Sequence, residues 1–170
     1  MVMPSPPMVT HEKLFSFLYR LLGDFVEELD LGVVLGSRTA AELEPNNVPE
    51  PDILFVTKDR AGIIQEKGVI GAPDLVIEIL SASTVRNDRG PKFAAYERAG
   101  VRELWLIDPY GPTGTEFYQL AGNRFQPVAP DAENILHSST VAGFWIDVNW
   151  LWPAEQFVSV RGALTQIMDG

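Results

Sequence analysis

Apolar residues at Leu14, Phe15, Leu18, Leu21, Leu22, Phe25, Val26 and Leu29 recur at spacings of three and four, with polar and charged residues between them. This period predicts an amphipathic helix over HEKLFSFLYRLLGDFVEELDLG, with Thr10 as its cap and Gly32 as its stop. GVVLGSRTAAELEP then reads as two short extended stretches bent near Gly36 and Ser37. The pattern changes at EPDILFVT, a compact apolar run of strand length, and again at PDLVIEIL, a run rich in β-branched residues and entered through Pro73. Between them, KDRAGIIQEKGVIGA reads as a connector with one helical turn.

Downstream, TVRNDRGPKFAAYERAG predicts a helix from about Gly90, with Pro91 in its first turn and Gly100 ending it. ELWLIDP is a third strong strand, and TEFYQLAGNRFQPVAP a hairpin turned at Gly122 and Asn123. Irregular aromatic-rich chain and a short C-terminal helix or tail complete the sequence, and no internal repeat occurs. The strands at 51–56 and 74–80 lie too close for a crossover helix, so they are expected to pair antiparallel. The strand after the second helix can join one of them in parallel. The expected fold is α/β (α+β), a mixed β-sheet flanked by helices, in a single domain over residues 1–170, a length sufficient to bury a core.

Charge narrows the function classes. Thirteen Lys and Arg against 23 Asp and Glu give a net charge of −10, which opposes tight non-specific binding to a polyanion and so a DNA-coating role. It weighs less against an enzyme whose acidic site is neutralised by divalent cations. The chain has no cysteine, which excludes disulfides, thiolate zinc sites and cysteine nucleophiles and fits a reducing cytoplasm. MVMPSPPMV lacks the basic region and apolar core of a signal peptide, and no apolar run reaches the roughly 18 residues of a membrane span. A soluble, cytoplasmic protein without membrane partners is expected.

Carboxylates stand out within the apolar runs. An antiparallel register with Asp52 opposite Glu78 also places Val56 opposite Asp74. Directly opposed residues have Cβ atoms roughly 4.5 to 5.5 Å apart, a separation at which two carboxylates can share a divalent cation. Asp74, four residues along the strand, would be about 13 Å away and outside that set. Asp52 and Asp74 both follow proline at the start of a strand, where aspartate also serves to accept local backbone hydrogen bonds. Glu78, between Ile77 and Ile79, requires a cation, a hydrogen-bond network or solvent on its face.

EPDILFV, PDLVIEILSAST and DRGPKFAAYERAGVRELWLIDP, with the opening PSPPMVTHEKLFSFLYRLL, together resemble the Uma-type restriction endonuclease family, a branch of the PD-(D/E)XK nuclease superfamily. The likeness runs from about residue 4 to 148. It implies an α-β-β-β-α-β core with Asp52 and Glu78 at the motif positions as metal ligands. Leu80 stands where the motif lysine is expected, and the resemblance implies that Lys92, at the start of the following helix, replaces it. Tyr96 lies one turn further on the same face, either contacting substrate or filling the core with a satisfied hydroxyl. His11 occupies the family's histidine position, where it approaches the site or a phosphate, or serves the helix end or surface. Family members carry a further N-terminal segment with an acidic element, and this sequence starts after that point.

The activity implied is a Mg²⁺ (or Mn²⁺)-dependent endonuclease hydrolysing DNA, with catalytic residues Asp52, Glu78 and Lys92 and weak, metal-dependent DNA binding. A homodimer is expected, since two symmetric sites cut both strands of a duplex. Leu80 and the net charge favour an alternative, a catalytically inactive nuclease-fold module that binds nucleic acid or protein. A third reading is a structural homo-oligomer with Trp145, Trp150 and Trp152 at its interface, although core packing explains these tryptophans equally well.

Overall fold

In a computed structural model, the structure describes residues 9–81 and 90–170. Helix α1 (Val9–Leu29) buries Leu14, Leu18, Leu21, Leu22, Phe25 and Val26 of the predicted stripe and also Phe17, while Phe15 is half-buried and Leu29 exposed. Its two ends differ from expectation. Thr10 lies inside the first turn rather than ahead of it. The stop is Asp30, in the left-handed conformation at φ 53°, with the Leu31 N–H donating to the Val26 carbonyl at 3.0 Å. That six-to-one bond closes a helix end as a C-terminal glycine would. Gly32 instead opens strand β1 (Gly32–Leu35), where a Cβ would come within 2.1 Å of the Val56 carbonyl oxygen. Close approach to the neighbouring strand, not helix termination, requires the glycine.

The main sheet has six strands in the order β1-β3-β6-β7-β8-β9. After β2 (Ala41–Glu42) come β3 (Ile53–Thr57) and, beyond two short strands, β6 (Leu75–Ile79). Strands β3 and β6 pair antiparallel with Ile53 opposite Ile77, Leu54 opposite Val76 and Phe55 opposite Leu75. This is the register that aligns Asp52 with Glu78. Helix α2 (Pro91–Ala99) then leads to β7 (Glu103–Ile107), which lies parallel to β6. Gly90 caps α2, Pro91 occupies its first turn, and Gly100 ends it at φ 88°. The hairpin β8 (Glu116–Ala121) and β9 (Arg124–Val128) turns at Gly122, φ 64°. A second antiparallel pair, β10 (Ile135–His137) and β11 (Trp145–Asp147), precedes helix α3 (Val160–Asp169), whose Ser159 cap accepts from the Gly162 N–H at 2.9 Å.

The connector after β3 holds more than one helical turn. A 3-10 turn (Lys58–Ile63) is followed by β4 (Ile64–Gln65) and β5 (Gly68–Ile70), and β5 pairs in parallel with β2 in a small three-stranded sheet. Strands of two and three residues are too short to carry an alternation signal. β4 pairs antiparallel with β5, and β5 packs closely on the β2 segment: a Cβ at Gly68 would lie 2.5 Å from the Ala40 carbonyl oxygen.

Both faces of the main sheet are covered, which explains why its central strands read as continuous apolar runs. On one face Ile53, Phe55, Leu75, Ile77, Ile79, Trp105 and Ile107 pack with α1 and the C-terminal region. On the other, Val76, Leu80, Leu104 and Leu106 pack with Tyr96 and Phe125, while Leu54 and Val56 pack with Ala41 and Val69. Side chains alternate along a strand, so Glu78 faces α2 and Glu103 faces the α1 side. Trp145, Trp150 and Trp152 are partly buried against the main core; the first two stack at 5.6 Å and the Trp152 Nε1–H donates to the Asp108 carbonyl at 2.8 Å. Among the described residues no helix is long and apolar enough to cross a membrane.

Candidate active site

Strand β6 delivers Glu78 to the face beneath α2, where it is only 3% exposed. A buried carboxylate needs opposite charge and hydrogen bonds, and the start of α2 supplies both. Lys92, the second residue of that helix, places Nζ 2.9 Å from Glu78 Oε1. Tyr96 follows one turn later, as the helical repeat requires, and its hydroxyl donates to the same oxygen at 2.7 Å. Leu80, just past the end of β6 and on the same face, is buried in the apolar layer under α2. The ammonium thus reaches Glu78 from the helix, while the strand position remains apolar.

Asp52 sits in the bend before β3, just past the last ladder pair, Ile53 with Ile77. Its Oδ2 accepts from the Ile79 N–H at 2.8 Å, the carboxylate taking over where the backbone ladder ends. His11 arrives from the first turn of α1, with Nε2 3.0 Å from the Ile79 carbonyl oxygen and 3.9 Å from Asp52 Oδ2. A carbonyl only accepts, so Nε2 carries a proton in that bond. Nδ1 lies 3.3 Å from Glu12 Oε1. Both main-chain groups of Ile79 therefore bind site residues, a role that sequence reading cannot assign because the backbone is the same at every position.

Asp74 is elsewhere. It lies at the opposite end of β6, fully buried, with Oδ2 accepting from the Thr57 N–H at 2.8 Å. Its Oδ1 is 3.0 Å from Arg60 Nη1 and 3.6 Å from Arg102 Nη1. The two Pro-Asp pairs thus differ in surroundings: one joins Glu78, and the other forms an ion cluster that ties the 3-10 turn to the start of β7.

A third buried carboxylate, Glu103, had a visible signal as the charge that opens the apolar run ELWLI. It accepts from Trp105 Nε1 at 2.9 Å, Ser138 Oγ at 2.7 Å, and Thr140 Oγ1 and N at 2.7 and 3.1 Å. It faces the α1 side of the sheet, away from Glu78, and fastens the segment after β10 to the core.

Asp52, Glu78 and the carbonyl of Ile79 bring hard oxygen donors to one end of β6. Mg²⁺ takes one or two carboxylates and retains several waters, so this donor set fits a magnesium-type cation. Among the described residues no group of three or more His, Asp or Glu is arranged to hold a metal. The protein's share of such a site would be the two carboxylates and the Ile79 carbonyl, which also accepts from His11.

The chain was compared with known proteins. A family model described as "Uma2: Putative restriction endonuclease" matches residues 1–149. Among solved structures the chain is similar to a protein from Anabaena variabilis ATCC 29413, described as "a putative nuclease belonging to DUF820", with a TM-score of 0.64 and 16% identity. The match covers 98% of this chain and 86% of that one, and at this identity it speaks for the fold. No curated protein matches the chain. The family match spans both Pro-Asp pairs, Glu78, Lys92 and the strand after α2, and by it the chain belongs to the Uma2 restriction endonuclease family.

Proposed function

We propose that the protein is a divalent-metal-dependent endonuclease that hydrolyses DNA phosphodiester bonds, with Asp52 and Glu78 holding Mg²⁺ or Mn²⁺ and Lys92 acting beside them. The observation that carries this reading is the meeting of Lys92 Nζ with Glu78 Oε1 at 2.9 Å, in a strand register that aligns Glu78 with Asp52. When bound, the cation supplies a polarised scissile phosphate and a water of lowered pKa. Lys92 contributes a fixed positive charge where negative charge builds up on the phosphate. Asp52 is oriented by the Ile79 N–H, and His11 joins α1 to the same residue's carbonyl, so the two carboxylates stand on a braced sheet end.

Calorimetric titration with Mn²⁺ tests the metal site. One or two sites are expected in the unmodified protein, with a site lost in Asp52→Ala and in Glu78→Ala. Equal binding by all three proteins would remove the reading.

Leu80 at the motif lysine position and the net charge of −10 favour a second reading, an inactive nuclease-fold module. Absence of cleavage by the unmodified protein with any divalent metal would select it. We further propose a single-domain, cytoplasmic homodimer, since two symmetric sites are the simplest means of cutting both strands. A monomer in sedimentation at micromolar concentration would count against the dimer.

A further inference from the structure

We propose that Tyr96 is a positioning residue for Glu78, fixing the rotation of the carboxylate that holds the cation. This rests on the metal-site reading above and assigns one more residue to it. Glutamate's terminal torsion is broad, so burial alone does not set the plane of its two oxygens. Something rigid must hold one of them. The Tyr96 hydroxyl does so at 2.7 Å, within the range for a hydroxyl donor on a charged acceptor.

The tyrosine is rigid at both ends. Its ring is fully buried and packs with Val76, Leu104 and Phe125. Its carbonyl receives the Gly100 and Val101 N–H groups at 3.2 and 3.0 Å, so the close of α2 pins the backbone from which the ring projects. Lys92 meets the same oxygen at 2.9 Å as a point charge with rotatable donors, which supplies charge without setting the carboxylate's plane. The phenol is also neutral and competes with no cation for the carboxylate's charge. Two jobs at Glu78 Oε1 are thereby divided: Lys92 provides charge and Tyr96 provides geometry.

A core tyrosine that had merely found an acceptor would leave metal binding unchanged when its hydroxyl is removed. Tyr96→Phe in the full chain, titrated with Mn²⁺ by calorimetry and melted without metal, separates the two cases. The expected result is a Mn²⁺ dissociation constant raised about tenfold, the usual size for losing a hydrogen bond to a metal-ligating group, with a chain that still folds and melts only several degrees lower. In cleavage assays the metal concentration for half-maximal rate should rise by the same factor, and saturating Mn²⁺ should restore kcat. An unaltered dissociation constant in Tyr96→Phe, with Mn²⁺ still bound by the unmodified protein, would overturn this assignment alone. No Mn²⁺ binding by the unmodified protein would overturn it together with the metal-site reading. A Tyr96→Phe chain that fails to fold would also overturn it, by making the hydroxyl a condition of the fold.

Discussion

Lys92→Met is expected to slow Mg²⁺-dependent nicking of supercoiled plasmid by at least about a hundredfold, the usual loss when one charge-stabilising donor is removed from a transition state. Mn²⁺ binding should persist and tighten, because the ammonium 2.9 Å from Glu78 Oε1 no longer competes for that carboxylate. The metal-free protein should lose stability, on the order of 3 kcal/mol, since a buried carboxylate is left without its counter-charge. Added Mn²⁺ should restore the melting temperature, because a ligand that binds only the folded chain stabilises it. This combination distinguishes a group that acts on the transition state from one that only fills space. Unchanged nicking in Lys92→Met, with cleavage still lost in Glu78→Ala, would assign the catalytic positive charge to another residue.

Glu103→Ala should produce the largest stability loss outside the site. Four donors, from Trp105, Ser138 and Thr140, converge on this carboxylate, which is 4% exposed. Truncation leaves buried donors without an acceptor and opens a void, together costing on the order of 4 kcal/mol. For a chain of this length that corresponds to a melting temperature lower by roughly 10 °C. Mn²⁺ binding should not change, because Glu103 faces the opposite side of the sheet from Glu78. A melting temperature within about 2 °C of the unmodified protein would mean that water replaces the network at little cost.

Much of the fold was legible because period and punctuation are local. The three-and-four spacing of Leu14 to Val26 records one buried helix face, and Pro91 and Gly100 bracket α2 through backbone constraints that act within a turn. The antiparallel pairing of β3 with β6 followed from the short connection, and its register from aligning Asp52 with Glu78. Where a nearby alternative could perform the same job, sequence reading chose wrongly. Asp30 closes α1 although Gly32 is close by, because Gly32 is needed for approach to the Val56 carbonyl. Strands β4 and β5 form a short hairpin that joins β2 through β5, and runs of two and three residues announce no such pairing locally.

The site divides in the same way. Asp52, Glu78 and Lys92 could be selected from the chain because their neighbours form long ordered strings that resemble a nuclease family. Their surroundings were a tertiary matter. Asp52 and Asp74 have the same local signature, proline before and apolar strand after, yet one meets the Ile79 N–H beside Glu78 and the other is held between Arg60 and Arg102. Tyr96 read from sequence as core with a satisfied hydroxyl or as a substrate contact; it is fully buried, and the partner of its hydroxyl, Glu78 Oε1 at 2.7 Å, is a tertiary fact. Periodicity and turn chemistry follow from interactions within a few residues, so the sequence by itself determined the helices, the central strands and their pairing. The state of a buried charge depends on which distant groups pack around it, so only the tertiary structure decided that Glu78 meets the Lys92 ammonium and the Tyr96 hydroxyl while Asp74 is held in an ion cluster with Arg60 and Arg102.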